Sequence, residues 1–303
     1  MQDLIIIGAG PAGLSASVYA SRYGVKNTIL GQIPGGLTTE THEIGNWLGD
    51  AAISGAEFAQ KAEAHVKSFG TEIKANKVLA IKKKEDKFFI NLDNDEVLES
   101  KTVLLATGTK HRHLGVPGEK EFLGKGVSYC ATCDGFFYRG KTVAVIGGSN
   151  SAAAAASHLG NIADKVYIVY RKEKIRAEHF WQKTIAANPK IEIINNTNVL
   201  EIKGSMMLEE LVLDNEYQGS KNLKVNGLFV EIGLDPNVEL IEDLDVDLNY
   251  EGFIKIRPDG KTSLPGLWAA GDITDGSNSF RQIVTAASEG AIAADSISHC
   301  LKQ

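Results

Sequence analysis

The chain has 303 residues, enough for about two domains, and its 43% hydrophobic content is that of an ordinary globular protein with substantial cores. A formal net charge of −6 argues against nucleic acid as a main partner. No apolar run approaches the roughly 20 residues needed to cross a membrane, and three cysteines without a secretion signal point to a reducing cytoplasm.

The first predicted element is the apolar strand Leu4-Ile5-Ile6-Ile7, which runs into Gly8-Ala9-Gly10-Pro11-Ala12-Gly13 and then a small-residue helix from about Leu14 to Tyr23. Glycine at the first position permits a tight turn, at the second it lets backbone approach a pyrophosphate, and at the third it allows close helix–strand packing. The free N–H groups of the helix N-terminus complete an anion site. Such a glycine turn is weak evidence alone; its place between an apolar strand and a small-residue helix makes it strong. The next strand, Thr28-Ile29-Leu30, ends in Gly31-Gln32 rather than in a ribose-binding acid, which disfavours a simple NAD site and suits a flavin dinucleotide held partly elsewhere.

Further along, Leu104-Leu105-Ala106-Thr107-Gly108 is an apolar strand ending in small residues, as expected of backbone passing close beneath a cofactor. His111-Arg112-His113 follows it, and no carboxylate nearby in sequence orients either ring; it reads as a linker. Next comes Cys130-Ala131-Thr132-Cys133-Asp134. Residues i and i+3 share a helix face with Cβ atoms roughly 5–6 Å apart, within disulfide reach, and a thiol near a helix start ionises more easily. Zinc would need a second ligand pair, which the one remaining cysteine, Cys300, and the seven histidines do not supply. A redox dithiol is the favoured reading, with Asp134 placed to shuttle a proton, and no metal is expected.

A second nucleotide-type beginning is Thr142-Val143-Ala144-Val145-Ile146 into Gly147-Gly148-Ser149-Asn150-Ser151-Ala152, with a helix over Ala153 to Leu159. The strand Lys165 to Tyr170 then ends in Arg171-Lys172-Glu173-Lys174-Ile175-Arg176, where an NAD site would show an acid; the cations suit a 2′-phosphate. Near the C-terminus, Trp268-Ala269-Ala270-Gly271-Asp272 places an acid at a strand end, and Ser279-Phe280-Arg281-Gln282 leads into a helix over Ile283 to Ile297. Two such loops at opposite ends of the chain predict a domain split in sequence. Glu239 to Asp247 reads as a half-buried return segment.

This order of motifs, from Gly8-Ala9-Gly10-Pro11-Ala12-Gly13 through Ala106-Thr107-Gly108 and Cys130-Ala131-Thr132-Cys133-Asp134-Gly135-Phe136-Phe137 to Gly271-Asp272 and Arg281-Gln282, resembles the low-molecular-weight thioredoxin reductases over nearly the whole chain. The resemblance implies an α/β fold of two Rossmann-like three-layer domains, the second inserted into the first. An FAD domain of residues 1–112 and 245–303 and an NAD(P)H domain of 113–244 carrying the dithiol are expected, in a cytoplasmic homodimer. It further implies electrons passing from NADPH to FAD, to the Cys130/Cys133 pair and on to thioredoxin or a thioredoxin-like protein. Cys133 would face the flavin, Cys130 would attack the partner disulfide and Asp134 would be the acid–base group. Gly8, Gly10, Pro11, Ala12, Gly13, Asn46, Ala106, Thr107, Gly108, Gly271, Asp272, Arg281 and Gln282 would hold FAD. Gly147, Gly148, Ser149, Asn150, Ser151, Arg171, Lys172 and Arg176 would hold NADPH. A domain rotation about linkers near Lys110–Val116 and Asp243–Asn249 is expected.

Three departures stand out. Ser149-Asn150 and Ala154-Ala155 lie where members often carry Gly-Asp and paired glutamates, Tyr170-Arg171-Lys172 replaces the usual His-Arg-Arg, and Leu37 follows Gly35-Gly36 in place of glutamine. The first two admit the same fold fed by ferredoxin or NADH, and a dithiol oxidase passing electrons to oxygen is a further alternative.

Overall fold

A computed structural model of the chain describes residues 1–41 and 44–302. The chain divides into two compact units, Met1–Lys110 with Asp235–Gln303 and His111–Leu234. The first unit opens with β1 (Gln2–Ile7), α1 (Pro11–Arg22) and β2 (Asn27–Leu30). Then follow α2 (Gly55–Ser68), β3 (Glu72–Lys74), β4 (Val78–Lys84), β5 (Lys87–Leu92) and β6 (Val97–Leu105). Helix α1 starts at Pro11, three residues before its expected start, because proline's fixed φ and missing N–H suit the first helical position. In the sheet, order β3-β2-β1-β6-β5-β4, the strands β3, β2, β1 and β6 are parallel, and β4 and β5 form an antiparallel hairpin on the β6 edge. Leu4 and Ile6 enter one core cluster and Ile5 and Ile7 another, so the strand is buried on both faces and reads as an unbroken apolar run.

The chain crosses into the second unit through β7 (Thr109–His111). There the elements are β8 (Val127–Ser128), α3 (Ala131–Asp134), β9 (Thr142–Ile146), α4 (Asn150–Gly160), β10 (Lys165–Val169), α5 (His179–Ala186) and β11 (Ile191–Ile194). After β12 (Val199–Gly204), β13 (Leu208–Tyr217) and β14 (Ser220–Lys224) comes β15 (Gly227–Val230). An all-parallel sheet, β11-β10-β9-β15-β8, repeats the pattern of the first unit, and Val143 and Val145 face one cluster while Ala144 and Ile146 face the other. Strands β12, β13 and β14 form a separate antiparallel sheet that covers the second of these faces.

The return runs through β16 (Leu234–Pro236), which pairs with β7, and the first unit is completed by β17 (Leu267–Ala269) and α6 (Ile283–Leu301). Strand β17 joins β6 in parallel, Leu267 opposite Val103, beyond the stretch where β6 pairs with β5. The first unit resumes at Asp235, ten residues before the expected 245, and Asp243–Asn249 is not a crossing. The reason is packing: Ile241 is buried in the sheet-face cluster, and Val238, Leu240, Leu244 and Val246 pack against it. This packing agrees with reading Glu239 to Asp247 as a half-buried return segment; it is the crossing expected near Asp243–Asn249 that lies earlier in the chain.

Candidate active site

In the first unit, the strand-to-helix turn is held by contacts only glycine permits. A side chain at Gly8, whose φ is +116°, would lie 2.0 Å from the Ala106 carbonyl oxygen, and one at Gly13 would lie 1.9 Å from the Gly8 carbonyl oxygen. The turn and the Ala106–Gly108 loop therefore press against each other. At Gly10 the space a Cβ would occupy is open, and no side chain caps α1 there. Reciprocal hydrogen bonds fix the neighbouring loop: Thr107 Oγ1 donates to the Asn237 carbonyl at 2.9 Å and Asn237 Nδ2 to the Thr107 carbonyl at 2.8 Å.

The C-terminal loop closes on the same turn. A side chain at Gly271 would meet Ala12 Cβ at 2.9 Å. Burial pushes the Asp272 carboxyl up to about 6; the Arg281 charge pulls it down and the Glu289 charge adds to the rise. Arg281 stacks 3.8 Å over the Phe253 ring and donates from Nε to the Asp272 carbonyl, while its buried Nη2 has no hydrogen-bond partner among the described residues. Asn46 Nδ2 donates to Gln282 Oε1 at 2.9 Å, and Gln282 caps α6. An open glycine edge at a helix start, a buried acceptor and an unsatisfied buried guanidinium nitrogen fit a dinucleotide carrying phosphate and sugar hydroxyls. The predicted residues from both ends of the chain thus meet in one cradle.

In the second unit, Cys130 and Cys133 are disulfide-bonded with Cα atoms 5.3 Å apart. Cys130 is the N-cap of α3, and its Sγ accepts from the Cys133 N–H at 3.0 Å. Ser128 Oγ accepts from the Cys130 N–H at 3.0 Å, fixing the approach to the pair. Cys133 is exposed and Cys130 and Asp134 are half-buried. Burial raises the Tyr138 phenol, and the Asp134 charge raises it further. Phe136 and Phe137 stand exposed, with the Arg139 guanidinium 5.3 Å from the Phe136 ring.

The second glycine turn lies in the same unit. Gly147, φ +143°, would place a side chain 2.2 Å from the Glu231 carbonyl oxygen. Ser149 occupies the middle position with φ −93° and ψ −177°, close to the −75° and −177° of Gly10, so serine there imposes no backbone strain. Asn150 and Glu178 exchange two 2.7 Å hydrogen bonds, Asn150 Nδ2 donating to Glu178 Oε1 and the Glu178 N–H to Asn150 Oδ1. The Tyr170 ring lies against Gly148, and its buried hydroxyl has no partner among the described residues. The Arg176 N–H donates to the Gly148 carbonyl, and the Arg171, Lys172 and Arg176 side chains are exposed beside the turn. A phosphate-bearing ligand fits this arrangement as well.

Several site-shaping residues escaped the sequence reading. Glu119 is 4% exposed, and its carboxylate accepts from the Leu114 and Gly115 N–H groups and from the Tyr129 hydroxyl. Burial raises this carboxyl, but those donors outweigh it and hold it below the usual range. His113 Nδ1 is 2.5 Å from the Tyr129 oxygen and 3.9 Å from Glu119, so a carboxylate does lie beside that ring. Glu119, Asn237 and Glu289 belong to no short motif; only the fold brings them to the loops they hold. Among the described residues, no group of three His, Cys, Asp or Glu is placed to hold a metal, and no helix is long and apolar enough to cross a membrane.

Residues 2–290 match the family "pyridine nucleotide-disulphide oxidoreductase". The chain is 37% identical to a thioredoxin reductase of Bacillus subtilis (strain 168) over 308 aligned residues, covering 99% of this chain and 95% of that protein. It is 38% identical to an NADH dehydrogenase of the same organism, covering 96% of this chain but spanning only 57% of that longer protein. Among solved structures, a thioredoxin reductase of Lactococcus lactis superposes with a TM-score of 0.95 at 35% identity, covering 100% of this chain and 99% of that one.

Proposed function

The chain belongs to the pyridine nucleotide-disulphide oxidoreductase family, and on that premise we propose that it is a flavin-dependent thioredoxin-disulfide reductase drawing its electrons from NADPH. The observation that carries the reading is the Cys130–Cys133 disulfide at the start of α3, in a chain that also builds a dinucleotide cradle. The first unit takes FAD and the second NADPH. The enzyme works as a homodimer in the cytoplasm.

Bound FAD supplies the two-electron step between a hydride donor and a disulfide. The chain's residues bind and orient. The open edge at Gly10 and the α1 N-terminus take pyrophosphate, Asp272 accepts from sugar-chain hydroxyls, and Arg281 Nη2 gains the partner it lacks. Arg171, Lys172 and Arg176 receive the 2′-phosphate of the donor, beside the Tyr170 hydroxyl.

Thiol chemistry balances within the dithiol. In the reduced protein, the Cys130 thiolate attacks one sulfur of the partner disulfide, forming a mixed disulfide and releasing one partner thiolate. The Cys133 thiolate then attacks Cys130 Sγ, which closes the internal disulfide and frees the second partner thiolate. The Cys133 N–H, already 3.0 Å from Cys130 Sγ, meets negative charge on that sulfur, and Asp134 relays the protons the partner thiolates take up.

Anaerobic titration tests the donor. NADPH is expected to bleach the flavin absorption band at lower concentration than NADH. Bleaching by reduced ferredoxin alone would move the donor assignment to ferredoxin, and peroxide release with a small dithiol would make the protein an oxidase. A colourless protein that takes up no FAD would sink the whole reading.

A further inference from the structure

Resting on the flavin reading, we propose that Glu289 is a positioning residue of the FAD site, fixing the Gly271–Phe280 loop against the first glycine turn. Its half-buried carboxylate lies on α6 and accepts three hydrogen bonds from that one loop. The Gly271 N–H donates to Oε2 at 2.8 Å, Thr274 Oγ1 to Oε2 at 2.9 Å and Ser277 Oγ to Oε1 at 2.5 Å. Each bond runs to a charged acceptor, the stronger class of protein hydrogen bond.

What the loop carries gives the anchor its meaning. Asp272 follows directly after the first anchored residue, and Arg281 and Gln282 follow the last. Between them, Ser277 and Asn278 hold φ of 49° and 54°, a left-handed conformation that asparagine adopts readily but serine keeps only where the surroundings impose it. Glu289 supplies that restraint at Ser277.

The next residue on the helix locks the other half of the cradle. A side chain at Gly290 would lie 2.1 Å from the Ala12 carbonyl oxygen, and Ser15 Oγ donates to the Ala287 carbonyl at 2.7 Å. One turn of α6 thus grips α1 just past the glycine turn, while Glu289 grips the acid loop. The helix acts as a jig that sets the spacing between pyrophosphate and sugar-chain subsites. Small misplacements of such groups weaken binding strongly, so the spacing is a property worth fixing.

The test uses the full-length holoprotein and follows FAD release after dilution by the rise in free-flavin fluorescence. Glu289→Ala is expected to release FAD at least tenfold faster than the parent. Glu289→Gln, whose side chain still accepts from Gly271 and Thr274 and donates to Ser277, should stay within about threefold. Combining Ser277→Ala with Glu289→Ala should add nothing, since the Ser277 hydroxyl bond that is lost runs to Glu289 itself. If Glu289→Ala fails to accumulate, Thr274→Val and Ser277→Ala each delete one donor and should each speed release. The proposal is overturned if Glu289→Ala releases FAD at the parental rate, if Glu289→Gln behaves like Glu289→Ala, or if the single-donor variants leave release unchanged. A parent protein carrying no FAD would instead defeat the flavin reading itself.

Discussion

At the scale of single residues, Asp272 shows how one environment sets two opposite pH effects. Burial raises its carboxyl from 3.8 to about 6, the Arg281 charge opposing and the Glu289 charge assisting. With the cradle free of ligand, the folded state holds this proton more tightly than the unfolded chain. The group's stabilising contribution is therefore full below about 4 and lost as pH rises through about 6. In the proposed FAD site the sign is reversed, because sugar hydroxyls would donate to the ionised carboxylate. FAD affinity is expected to rise with pH up to about 6, where the ligand-free carboxyl ionises, and to level off above it. The Asp272→Asn variant should release FAD faster at neutral pH, with a flatter profile. Flavin-fluorescence titration across about pH 5 to 8, with stopped-flow release at neutral pH, checks this, and a parental profile in the variant contradicts it.

Elements add a distinction that residue lists miss, between glycines that serve packing and glycines that leave room for a ligand. Gly13 faces the Gly8 carbonyl at 1.9 Å, so Gly13→Ala forces α1 away from β1 and costs roughly 1–3 kcal/mol of stability or more. Gly10 meets nothing within 4 Å, at a negative φ that alanine tolerates, so Gly10→Ala should change thermal stability of the flavin-free chain by less than about 1 kcal/mol while speeding FAD release. Melting curves and flavin content of the two variants separate the roles. Both glycine turns and the dithiol were legible in the sequence because local spacing encodes them: apolar strand, turn, small-residue helix. The β4–β5 hairpin, the β12–β13–β14 sheet and the true return crossing were not. Their positions follow from which sheet face needs covering, as Ile241 and Leu244 show by docking a stretch where the resemblance implied a linker. The acceptors Glu119 and Glu289 were equally invisible, since their donors lie on loops that only the folded chain delivers.

Over the whole molecule, the chain visits the first unit twice and the second once, so two crossings join them, Thr109–His111 and Leu234–Pro236. On the first unit's side the crossings are tied together by the reciprocal Thr107–Asn237 bonds. On the second unit's side, Glu119 ties residues 114 and 115 to Tyr129, next to Cys130. These bonds leave the few residues at β7 and β16 as the proposed place for any relative motion. The proposed chemistry demands such motion. The dithiol belongs to one unit and the FAD cradle to the other, and the dithiol must exchange electrons with the flavin and then with a separate protein, which one fixed arrangement serves poorly. Hinge closure of this kind concentrates its dihedral changes in short terminal segments of elements. A short bifunctional cross-linker bridging residues 1–110 to 111–234, with the bridge mapped by peptide analysis, should cut protein-disulfide turnover by roughly tenfold or more while leaving FAD content unchanged. Turnover that survives the bridge would show that the crossings need not bend.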